Sequence, residues 1–254
     1  MTMNNREYTN RTYRQHLRQE RWCTFTIVHK ETDLWIGIDK ASYREEIRAY
    51  ALSRVIRLRQ EMDTYLNQDP EYRKALIPYT PRTEAPAIIR KMAEVSDVSG
   101  IGPMSAVAGA VAGQIAAELK TAFPIREIII ENGGDIYADI HEDIDIAVFA
   151  GSSPLSEKVG FTIRADRSPL GICTSSGTVG PSLSFGQADA VMIVCQDCAL
   201  ADTYATAFAN QIQTTADIEP CIEKIGDIPK ILAAICIKDT QIGISGKFDF
   251  KIWK

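Results

Sequence analysis

The feature that most constrains this chain is a short apolar run followed at once by a helix-forming stretch, together residues 188–210. Residues 190–195, with Val191, Ile193 and Val194, are almost continuously apolar, the pattern of a buried strand. Asp197 is placed to accept hydrogen bonds from the free N–H groups of a following first turn, and Asn210 can close that helix. Asp202 and Thr206 are four residues apart, about one turn, so a carboxylate and a hydroxyl share one helix face. Both are hard oxygen donors of the kind that magnesium or calcium prefers. The same residues also suit a small-residue helix packed on a sheet, with Asp202 simply favouring the positive helix N-terminus.

With 254 residues the chain can bury one sizeable core, and one domain over residues 1–254 is expected, opened by a polar arm over residues 1–21. A composition of 45% hydrophobic and 24% charged residues is that of a soluble globular protein. The net charge of −5 argues against nonspecific nucleic-acid binding. The first ten residues have no apolar core of the signal-peptide kind. The apolar stretch 101–117 is broken by Pro103 and Gln114, too short for a membrane helix, so a cytoplasmic location is expected. Six cysteines without a secretory signal imply thiols, not a disulfide scaffold. Cys195 and Cys198 form one CxxC, with Cys198 near a helix N-terminus where a thiolate would be favoured; the alternative is that these are small buried residues.

Alternation at 23–28 and the apolar run 34–38, turned at 30–32, predict a hairpin. Over residues 42–66 the period becomes 3.6, with Tyr43, Ile47, Tyr50, Val55, Leu58, Met62 and Leu66 on one face. Pro78, Pro81 and Pro86 mark a connector before helices at 86–95 and 103–121. Gly109 and Gly113 read as glycines that let a buried helix approach a sheet. Asn132-Gly133-Gly134 is a tight-turn signature between strands at 127–131 and 135–140. Further strands are expected at 143–148, 159–164, 231–237, 241–244 and 248–252, with a short loop running from Gly177 to Phe185. Runs of hairpin strands with helices grouped between them argue α+β architecture with largely antiparallel sheets and packed helices. His16, His29 and His141 fall in arm or turn segments, none with a neighbour that makes it a catalytic base.

Three stretches, residues 99–107, residues 131–136, and residues 173–177 taken with 200–207, together resemble the ApbE family of FAD-dependent protein FMN transferases. Ser99-Gly100-Ile101-Gly102-Pro103-Met104-Ser105-Ala106-Val107 is similar to that family's Gly-Gly-Ile-Ala-Lys-Gly-x-Ala-Val. Glu131-Asn132-Gly133-Gly134-Asp135-Ile136 is similar to its Asn-x-Gly-Gly-Asp-Ile. Cys173-Thr174-Ser175-Ser176-Gly177, followed by Leu200-Ala201-Asp202-Thr203-Tyr204-Ala205-Thr206-Ala207, is similar to Ala-Thr-Ser-Gly and Leu-Ala-Asp-Ala-Leu-Ala-Thr-Ala. More narrowly, the combination resembles an uncharacterised ApbE-like family of bacteria and archaea, a likeness that extends to Arg-Thr-Tyr-Arg at 11–14 and Glu-Thr-Asp-Leu at 31–34.

The resemblance implies a T-fold-like architecture, a small-molecule nucleotide ligand (FAD or a related flavin) and magnesium. It makes Asp202, Thr206 and the carbonyl of Gly102 the metal ligands. It places Gly133, Gly134, Asp135, Thr174, Ser175, Ser176 and Gly177 against the flavin nucleotide. Glycines allow close backbone approach, and hydroxyl and N–H groups hold phosphate oxygens. Two departures bear on the reaction: Pro103 stands where the family has lysine, and residues 178–186 hold no counterpart of its His-x-x-Asp-Pro stretch. A metal-assisted flavin-binding protein, extending to a divergent transferase, is the first reading. A thiol-based persulfide carrier using Cys173 or the CxxC, and a non-catalytic flavin binder, are the alternatives.

Overall fold

The computed structural model describes residues 20–178 and 184–253. All but the last two residues of the expected polar arm, and with them Arg-Thr-Tyr-Arg and His16, lie outside the described residues.

The fold is α+β, built on an eight-stranded sheet in which every neighbouring pair is antiparallel. Its strands are β1 (Trp22–His29), β2 (Thr32–Asp39), β3 (Ile128–Asn132), β4 (Asp135–Asp139), β7 (Leu170–Ser175), β8 (Ala190–Cys195), β9 (Ile231–Lys238) and β10 (Gln241–Gly246), in that spatial order. A second sheet of β5 (Ile144–Ala147), β6 (Val159–Ile163) and β11 (Asp249–Ile252) has β6 at its centre. The helices are α1 (Glu45–Gln68), α2 (Pro70–Lys74), α3 (Ala87–Ser99), α4 (Val107–Ala122), α5 (Cys198–Ala209) and α6 (Ile218–Gly226).

The large sheet is covered on both faces, which is why β8 is apolar at every position. Val191, Ile193 and Cys195 point into one core, with Ile36, Ile115 and Leu200 from β2, α4 and α5. Ala190, Met192 and Val194 point into another, with Ile146 and Phe161 of the small sheet. A strand flanked by two layers has no face left for polar side chains. Helix α1 begins at Glu45, so Tyr43 lies before it; the helix buries Ile47, Val55, Leu58, Met62 and Leu66 of the expected face and leaves Tyr50 half-buried. The proline-rich connector is pinned to that helix: the backbone N–H of Arg82 donates to the Tyr65 hydroxyl at 2.9 Å, and the Tyr79 hydroxyl donates to Asp69 at 3.0 Å.

Three expectations need correction. Residues 103–106 form a 3-10 turn, so the α-helix begins only at Val107. Helix α6 was not foreseen; Pro220 sits in its first turn, where a missing N–H costs nothing, and Thr214 with Asp217 forms the capping box just before it. Gly109 and Gly113 face a helix before they face the sheet. A Cβ on Gly109 would lie 2.4 Å from the Cys198 carbonyl oxygen, so this glycine lets α4 and α5 pack backbone to backbone, while at Gly113 the nearest atoms are Cys198 Cβ at 3.7 Å and Tyr137 of β4 at 4.0 Å. No single helix among the described residues is long and apolar enough to cross a membrane.

Candidate functional site

The site grows from the start of α5. Asp197 caps this helix, its carboxylate accepting from the Leu200 N–H at 3.0 Å. Lys91 of α3 forms an ion pair with the same carboxylate at 2.5 Å. Helix α5 seats on β7 at Gly171, where a Cβ would fall 2.3 Å from the Cys198 Cα. Every α5 residue is buried except Thr206, which is the one side chain of the helix left part-exposed.

Asp202 meets α4 end-on. Helix α4 has only Ala106 at its N-cap and therefore no capping side chain of its own. The Asp202 carboxylate supplies the missing acceptor, taking the Gly109 N–H at 2.8 Å and a further bond from the Ala108 N–H. Nothing in the local sequence of α5 announces this capping from another element; the signal was the absence of a cap residue before α4.

The other expected residues gather around this junction. Asn132 donates from its side-chain amide to the Ala108 carbonyl at 3.1 Å, which ties the β3–β4 turn to the same helix start. Gly133 and Gly134 hold that turn at φ +70° and +106°, and the Gly134 N–H donates to Glu131 Oε1 at 2.8 Å. Asp135 pairs with Cys173 across β4 and β7, and the Thr206 hydroxyl reaches Ser175 Oγ at 3.4 Å. Ser176 and Gly177 both donate to the Ala188 carbonyl, at 3.3 and 2.8 Å. Gly102 joins less directly. Its carbonyl accepts from the Ser105 N–H at 3.1 Å and the Ser105 hydroxyl at 2.7 Å, and that hydroxyl touches Thr203 Oγ1 at 2.8 Å, one residue after Asp202.

Asp135 and Asp202 are both buried. Burial, then the nearby Asp202 charge, holds the Asp135 carboxyl protonated well above the usual carboxylate range. Burial pushes Asp202 up to about 7, against the two backbone N–H bonds that favour its charged form. A carboxylate such as Asp202 is an oxygen donor of the kind a divalent cation takes, and a bound cation would favour its charged form. Among the described residues no group of three or more His, Cys, Asp or Glu side chains is arranged to hold a metal, so remaining ligands would come from Thr206, a main-chain oxygen or the nucleotide itself.

The thiols are arranged differently from the sequence spacing. The partner of Cys198 is Cys173, with the sulfurs 3.7 Å apart, while Cys195 sits on β8 opposite Gly171. The expected Cys198 thiolate is also corrected. A hydrogen bond from Cys173 favours the charged form, but burial and the charges of Asp135, Asp202 and Asp197 outweigh it and raise the Cys198 pKa. Burial raises Cys173 and Cys195 as well. Beside this pair lies a cavity of about 260 Å³ lined by Lys91, Gly109, Gly113, Gln114, Tyr137 and Cys198.

The family profile described as AbpE bacteria matches residues 14–224. This chain belongs to that ApbE-like family. A UPF0280 protein of Methanocella arvoryzae is 34% identical over 203 residues, covering 80% of this chain and 82% of its own length. One from Methanocaldococcus jannaschii is 33% identical over 231 residues, covering 89% and 91%. Among solved structures, the apo flavinyl transferase ApbE of Pseudomonas stutzeri superposes with a TM-score of 0.58 at 14% identity, over 94% of this chain and 96% of its own. The ApbE protein of Thermotoga maritima gives 0.56 at 12% identity, over 88% and 97%. At such identities the likeness carries the fold and no more.

Proposed function

We propose that this ApbE-like protein binds a flavin nucleotide, FAD or a close relative, with a divalent cation at the junction of α4, α5, the β3–β4 turn and the end of β7. The observation that carries this reading is the convergence of four separate segments, those of the family motifs, on the Asp202–Gly109 contact. Asp202 and Thr206 hold the cation, with Gly102 contributing its carbonyl when the Ser105 hydroxyl releases it. Such a cation, when bound, neutralises a pyrophosphate and polarises its phosphorus. The chain's own part is binding and orientation. The Gly133-Gly134 turn allows close approach of the nucleotide, and Thr174, Ser175, Ser176 and Gly177 offer hydroxyl and N–H donors, with Asp135 behind them.

Chemistry on that nucleotide is the weaker part of the endowment. Pro103 is buried at the start of the 3-10 turn and offers neither charge nor N–H where the ApbE pattern has lysine. Loss of one such electrostatic contact costs about 3–4 kcal/mol of transition-state stabilisation. We therefore assign slow transfer or pure binding, not efficient flavinylation. The test is the mass and absorbance spectrum of small molecules released from the purified protein, together with equilibrium dialysis against FAD and magnesium. Released or retained flavin supports the proposal; no flavin released and none bound at 100 μM overturns it.

A further inference from the structure

Cys173 and Cys198 are 25 positions apart in sequence, yet both are buried and their sulfurs lie 3.7 Å from each other. The Cys173 thiol also donates to the Cys198 carbonyl at 3.4 Å, and the Cys198 thiol to the Ile136 carbonyl at 3.5 Å. A disulfide requires the sulfurs to close to about 2.05 Å, so a movement of under 2 Å shared between two side chains suffices. The two backbones are already pressed together, since only a glycine at 171 lets the Cys198 Cα approach β7. The route in is the 260 Å³ cavity, one wall of which is Cys198 itself. Its volume is ample for a molecule the size of a peroxide.

We propose that Cys173 and Cys198 are a reversible dithiol–disulfide pair, oxidised by a small hydroperoxide that enters through this cavity. In the first step the Cys198 sulfur attacks one peroxide oxygen. The O–O bond breaks, and the released hydroxide takes the thiol proton and leaves as water, giving a sulfenic acid on Cys198. In the second, the Cys173 sulfur attacks the sulfenic sulfur, the S–O bond breaks, and the hydroxyl leaves with the Cys173 proton as a second water. Two thiols and one hydrogen peroxide become one disulfide and two waters, and an external thiol reverses the change. The product would tie the strand carrying Thr174 and Ser175 to the helix that carries Asp202 one turn further on.

The experiment uses the full chain, reduced, desalted and exposed to hydrogen peroxide, then unfolded, alkylated with N-ethylmaleimide and mapped without reduction. Six cysteines are alkylated before oxidation; the expected result is loss of two, with the Cys173 and Cys198 peptides joined and then freed by dithiothreitol. Cys198→Ala should abolish the link while circular dichroism remains native. The proposal is overturned if both peptides stay separate under peroxide that oxidises the part-exposed Cys23. It is equally overturned if the link found is Cys195–Cys198 or Cys221–Cys236. Should Cys198→Ala fail to fold, the wild-type peptide map still decides.

Discussion

Two glycines four positions apart on α4 should respond in opposite directions to the same change. At Gly109 an added Cβ lies 2.4 Å from the Cys198 carbonyl oxygen and 2.8 Å from Asp202 Cβ. Both obstacles are backbone or the root of a side chain, so α4 and α5 must part by roughly 1 Å, overpacking of a kind that typically costs about 1–3 kcal/mol. The separation also stretches the 2.8 Å bond between the Gly109 N–H and Asp202, on which the start of α4 depends. At Gly113 the nearest atom, Cys198 Cβ, is 3.7 Å away, an ordinary contact. There alanine brings only its better helix propensity, about 1 kcal/mol. At roughly 2–4 °C per kcal/mol for a chain of this size, Gly109→Ala should lower the midpoint of thermal unfolding by about 5 °C. Gly113→Ala should raise it by a few degrees. Differential scanning calorimetry of the two purified variants against the parent is the assay. A neutral Gly109→Ala, or two variants that move together, would refute the backbone packing of α4 on α5.

The buried carboxylates give a pH signature in metal-free protein. The Asp202 carboxyl ionises at about 4 when unfolded and near 7 when folded, so stability is full below the first value and falls as pH rises to the second, by up to about 1.4 kcal/mol per pH unit. Asp202→Asn, which keeps an oxygen for the Gly109 N–H, should flatten the decline between pH 5 and 7 seen in urea titrations, and an unchanged slope would count against the assignment. Gly133→Ala meets no steric obstacle but must adopt φ +70°, so it should cost about 1–2 kcal/mol in chemical denaturation, and Gly133→Asn much less. Asp197→Ala removes the cap of α5 and the Lys91 ion pair and should lose about 1 kcal/mol, with Asp197→Ser recovering most of it by the same measurement.

Elements were legible where one segment carries its own signals. Strand β8 and helix α5 follow from an unbroken apolar run and an Asp197 cap, and the β3–β4 turn from Asn132-Gly133-Gly134. Likeness to a family marks candidate positions without needing their contacts, and the marked segments lie side by side around the start of α4 and α5. What stayed hidden were relations between segments. The GxxxG spacing announces close approach but not to what, and the partner proved to be α5. The CxxC spacing suggests a thiol pair, yet residue 195 ends a strand and residue 198 begins a helix, so the pairing falls to Cys173 on the neighbouring strand. Asp202 reads as a ligand from its sequence and is also the cap of another helix, a role visible only once α4 and α5 are side by side.

The central claim, a divalent cation shared by Asp202 and Thr206 that fastens a flavin nucleotide, is tested most directly at Thr206. Its hydroxyl is part-exposed and makes one long hydrogen bond, 3.4 Å to Ser175, so Thr206→Val preserves shape and packing while removing a single oxygen donor. Isothermal titration of FAD into parent and variant, each with and without magnesium, isolates that donor. Magnesium should tighten FAD binding at least tenfold in the parent and leave the variant unchanged. If magnesium does nothing in the parent, or tightens binding equally in Thr206→Val, the site is not the metal-assisted nucleotide site described.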